Sequence, residues 1–72
     1  MLSEVIEIIC EYVEADPETI TPESSLRSDI GATSFDLMNI AEAVEQRWDI
    51  SVPNDRLPEI YTVGDILDLL NK

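Results

Sequence analysis

The chain has no histidine, one cysteine, two glycines and only four basic residues, and each shortage removes a class of function. Without histidine it lacks the commonest general base and metal ligand at neutral pH. A lone Cys10 forms no internal disulfide and is compatible with a reducing compartment. Two glycines cannot build a glycine-rich phosphate loop. Four Lys and Arg against 16 Asp and Glu give a formal net charge of −12, a surface that repels nucleic acid and anionic lipid and attracts basic patches on proteins. The same charge opposes the compact state, so salt and divalent cations are expected to stabilise the fold.

What is present is enough for one small core. At 72 residues with 44% hydrophobic side chains, the sequence is expected to form a single domain over 1–72 and not a disordered tail. Glutamates interrupt the apolar start M-L-S-E-V-I-E-I-I-C-E, which fits neither a signal peptide nor a membrane span. The expectation is a free-standing cytoplasmic protein, monomeric, with no membrane insertion.

The hydrophobic periodicity is helical throughout. Over 2–14, Leu2, Val5, Ile6, Ile9, Tyr12 and Val13 share one side, Ile8 and Cys10 flank it, and Glu4, Glu7, Glu11 and Glu14 oppose it. Residues 15–33 read as a long connection. Asp16-Pro17 opens a short turn there, and Ile20, Leu26 and Ile30 pin the segment to the core. A second helix over 34–49 turns Leu37, Ile40, Ala41, Val44 and Trp48 inward. Pro53 stops helix continuation, Pro58 keeps a third helix to about Ile60 short, and Thr62 with Asp65 makes a capping-box-like start to the last helix. No strand pattern stands out. The fold expected is all-α: a small four-helix bundle with three main helices, one short helix and a long first loop.

Two features of the second helix carry function. Its outer side holds Phe35, Met38, Glu42, Glu45 and Asp49, large apolar groups among carboxylates, which reads as a docking face rather than a solvated one. At its start stands Ser34. On local sequence, capping is the commoner job of such a serine; Thr33 can cap equally well, which would leave Ser34 exposed at the first helical position, beside free backbone N–H groups. Catalysis has little support. A serine hydrolase needs a base beside the nucleophile, the segment G-A-T-S-F is not G-x-S-x-G, and D-I-G-A-T-S-F-D lacks the ligand series of a calcium loop. No catalytic residue and no metal ligand set is assigned.

The stretch D-I-G-A-T-S-F-D-L, with the amphipathic helix ending R-W-D-I-S-V-P, resembles the acyl carrier protein family, whose members commonly read D-L-G-x-D-S-L-D here. Asp29, Gly31, Ser34 and Asp36 match that motif, Val52 and Pro53 occupy the apolar–proline position before the short third helix, and the likeness covers nearly the whole chain. It implies a fold of acyl-carrier type and a carrier rather than an enzyme. A phosphopantetheinyl transferase would move 4′-phosphopantetheine from coenzyme A onto Ser34. The terminal thiol would then hold acyl groups as thioesters for fatty-acid, polyketide or related biosynthetic enzymes. Those enzymes would bring basic docking patches to the second helix. Thr33 stands where the family usually has aspartate and Phe35 where it has leucine, which fits a specialised carrier with dedicated partners. The alternatives are a carrier for aminoacyl or aryl groups, and an unmodified acidic interaction module using the same helix face. An acyl cavity, if formed, is expected beside Trp48, Ile50 and Leu69.

Overall fold

The computed structural model describes residues 1–71. Three α-helices, α1 (Leu2–Tyr12), α2 (Ser34–Trp48) and α3 (Val63–Leu70), are joined by loops that contain two 3-10 turns, Pro17–Thr19 and Asn54–Glu59. The expected short third helix is the second of these turns. Pro58 inside it withholds the N–H that an α-helical ladder would use. No strand forms among the described residues; one isolated antiparallel bridge joins Ser25 to Thr62.

The core is aliphatic. Val5, Ile8 and Ile9 of α1 meet Ile40 and Val44 of α2 and Val63 and Ile66 of α3, with Ile20, Leu26 and Ile30 reaching in from the long connection as expected. Two positions on α1 differ from the wheel. Ile8 is buried because α1 packs against α2, α3 and the first 3-10 turn, which widens its buried arc. Tyr12 is 43% exposed: the helix ends there, Val13 is extended, and the ring lies beyond the packed surface. Trp48, expected on the core face, is half-buried at the end of α2, with the Arg47 guanidinium 5.7 Å from its ring centroid. The helix stops one residue short of Asp49, which takes the left-handed conformation and turns the chain so that Val52 becomes buried.

The long connection is stitched to the start of α3. Leu26 N–H donates to Tyr61 O at 2.8 Å, Val63 N–H to Ser24 O at 3.1 Å, and Gly64 N–H to Pro22 O at 2.7 Å. The last contact needs glycine, since a Cβ at position 64 would lie 2.9 Å from the Pro22 carbonyl oxygen. The capping box at Thr62 and Asp65 forms as the spacing foretold. Backbone N–H donation from Tyr61 and Thr62 to its carboxylate holds Asp65 below the usual value of 3.8, against a smaller opposing effect of burial.

Candidate functional site

The segment before α2 is a braced turn. Asp29 Oδ2 accepts from Ser25 N–H at 2.7 Å, the Asp29 and Ile30 N–H groups donate to Ser25 O at 3.0 Å, and Ala32 N–H donates to Leu26 O at 2.8 Å. Gly31 sits at φ +86°, a conformation open to glycine and costly for other residues. The chain then enters α2 through Thr33, which resolves the choice of cap. Thr33 Oγ1 accepts from Asp36 N–H at 3.1 Å while Asp36 Oδ2 accepts from Thr33 N–H at 3.0 Å, a reciprocal capping box.

Ser34 is therefore the first residue of the helix, exposed, and free of the capping job. The first helical hydrogen bond runs from Leu37 N–H to Thr33 O, so helix geometry gives the N–H groups of Ser34 and Phe35 no acceptor. Ser34 Oγ accepts from Arg27 Nη2 at 2.7 Å. Sequence reading passed over Arg27; nothing in spacing ties it to the serine across the intervening turn, although the scarcity of basic residues marks each one as worth placing.

Four of the five outer-face residues come together. Phe35, Met38, Glu42 and Glu45 line one shallow groove with Val52 and Leu57 of the following segment, whereas Asp49 lies apart at the end of α2. Phe35 is 71% and Met38 58% exposed, the fractions that separate this face from a packed one. Glu45 is not a free carboxylate: its Oε2 accepts from Val52 N–H at 2.6 Å and fastens the downstream loop to α2.

Beneath that face lies a small apolar pocket of about 20 Å³, room for roughly one water molecule, bordered by Leu37, Ile40, Val44, Leu57, Ile66 and Leu69 among others. Leu69 lines it as expected. Trp48 and Ile50 do not, because the left-handed turn at Asp49 carries that end of α2 past the pocket's edge.

A family model described as a phosphopantetheine attachment site matches residues 3–70. The chain belongs to that family. Relatives named acyl carrier protein match over nearly the whole chain. The one from Caulobacter vibrioides is 36% identical over 72 residues, covering 100% of this chain and 92% of its own. The one from Thermosynechococcus vestitus is 31% identical over 71 residues, with 99% and 88% covered. A solved structure of a proposed acyl carrier protein from Mycobacterium tuberculosis superposes with a TM-score of 0.84 at 26% identity, covering 99% of this chain and 96% of that one. Phosphopantetheine family membership makes this chain an acyl carrier and not an enzyme, with the arm as its covalent cofactor and biosynthetic enzymes as its partners. Its all-α bundle is the architecture of that structural neighbour.

Proposed function

We propose that Ser34 is the attachment residue and that the unit formed by 1–72 presents acyl groups to fatty-acid or polyketide-type biosynthetic enzymes. One observation carries the assignment: Thr33 takes the cap, leaving the Ser34 hydroxyl exposed on the first turn of α2. The residues present suit a phosphodiester there. Ser34 supplies the oxygen, the unpaired N–H groups and the positive end of the helix dipole face a bound anion, and Arg27 adds a cation. In the transfer, the Ser34 Oγ–phosphorus bond forms as the pyrophosphate link of coenzyme A breaks; adenosine bisphosphate leaves and the serine proton passes to the transferase or solvent. Once attached, the arm supplies the thiol on which acyl groups ride as thioesters.

Phe35, Met38 and Glu42 form the centre of the partner face, with Glu45 shaping it and Asp49 at its margin. Basic patches on the transferase and on acyl-transferring enzymes would meet the carboxylates, while the two apolar side chains fill hydrophobic recesses. The protein would work as a cytoplasmic monomer. No helix among the described residues is long and apolar enough to cross a membrane.

The test is intact mass after incubation with coenzyme A, magnesium and a broadly tolerant phosphopantetheinyl transferase. The wild type is expected to gain one phosphopantetheine and Ser34→Ala none, with both folded by circular dichroism. A gain that persists in Ser34→Ala would move the attachment elsewhere. A folded wild type that gains nothing from any of several transferases would sink the reading.

A further inference from the structure

The three arginines are used differently. Arg47 pairs with Glu4 at 3.1 Å and Arg56 with Glu59 at 3.7 Å. Arg27 has no carboxylate within 4.0 Å among the described residues, although the chain carries 16 Asp and Glu. Its guanidinium is spent instead on the Ser34 hydroxyl, at 2.7 Å. Two acidic residues of the same turn are already engaged: Asp29 Oδ2 takes Ser25 N–H and Asp36 Oδ2 takes Thr33 N–H.

We propose that Arg27 is the positioning residue for the arm, holding the phosphate esterified to Ser34. The assignment rests on attachment at Ser34. A guanidinium carries five N–H donors in a planar fork, and one neutral hydroxyl leaves most of them unused. Esterification removes the hydroxyl proton and places two non-bridging oxygens, sharing one negative charge, just beyond Oγ. Charge-assisted bonds to these oxygens are stronger than the bond to the hydroxyl they replace. A small rotation of the Arg27 side chain moves its fork from Oγ onto the phosphate, with no change in the braced turn behind it. The phosphate then lies between Arg27 on one side and the free N–H groups of α2 on the other. The first torsions of the arm become restricted, so its thiol leaves the protein in a preferred direction instead of sweeping freely about Oγ.

The experiment uses the phosphopantetheine-loaded protein as wild type, Arg27→Gln and Arg27→Lys, each confirmed by intact mass to carry one arm. The readout is the phosphorus-31 resonance of the phosphodiester, followed from low to high salt. In the wild type it is expected to be displaced from that of a free phosphopantetheine ester and to drift towards it as salt screens the contact. Arg27→Gln should sit at the free position at every salt concentration, and Arg27→Lys should recover part of the displacement. Arg27 is exposed, so the variants are expected to melt like the wild type before loading. Loaded wild type and Arg27→Gln with the same resonance would overturn the assignment while leaving the attachment intact. A folded wild type that takes up no arm would overturn the attachment, and the assignment with it.

Discussion

At Asp29, Gly31, Ser34 and Asp36 the motif divides into one exposed hydroxyl, the proposed attachment point, and three residues that hold it. Asp29 ties the turn to Ser25, Gly31 supplies a left-handed backbone, and Asp36 completes the cap with Thr33. Thr33 accordingly serves stability as much as function. Thr33→Ala is expected to lower unfolding free energy by about 1 kcal/mol, a fall of about 4–8 °C in melting temperature for a domain this size. Thr33→Asp, which retains a capping oxygen and adds negative charge at the helix start, should stay within about 0.5 kcal/mol of the wild type. Equal melting of all three proteins would show that the cap contributes nothing. The position of Ser34 relative to the cap was open in the sequence, yet Thr33 and Asp36 have the same spacing that correctly announced the box at Thr62 and Asp65. Arg27 had no such signal, because its contact depends on how the turn folds back.

For the elements, periodicity located α1, α2 and α3 to within two residues at their ends and picked out Ile20, Leu26 and Ile30 as loop anchors. Its errors have a common physical origin. A helical wheel assumes one partner surface along an unbroken cylinder, so it put Ile8, which meets several neighbours, at the flank of the apolar face, and placed Tyr12 and Trp48 too deep at helix ends. It likewise treated Glu42 and Glu45 as equivalent, although Glu45 bonds Val52 N–H. This difference yields a test of the docking face. Glu42→Lys should weaken binding to a basic partner roughly tenfold, the scale of a contact worth about 1.4 kcal/mol, with melting unchanged. Glu45→Lys should weaken binding and also lower the melting temperature, since it breaks the clasp on the downstream loop. Titration calorimetry with the transferase, beside thermal melts, separates the two effects. Undiminished binding by Glu42→Lys would move the interface off this face.

Over the whole molecule, net charge dominates. Glu4–Arg47 and Arg56–Glu59 are exposed pairs of the kind that contribute about 0–1 kcal/mol each, too little to offset repulsion among the remaining carboxylates at a net −12. Raising salt from low to near-molar concentration at pH 7 should therefore raise the melting temperature, on the order of several degrees, as the Debye length contracts. A flat or falling curve would show that local pairs outweigh the global field.

The bonds from Pro22, Ser24 and Leu26 to Tyr61, Val63 and Gly64 give the two halves of the chain unequal standing. A fragment ending before Tyr61 would contain the complete serine motif and the whole of α2, but would lose the backbone bonds that tie the long connection to the start of α3. On the proposed attachment at Ser34, the address for modification is written in the first half of the chain, and the last helix helps to make it readable. Truncation at that end should accordingly reduce modification of a serine it never touches.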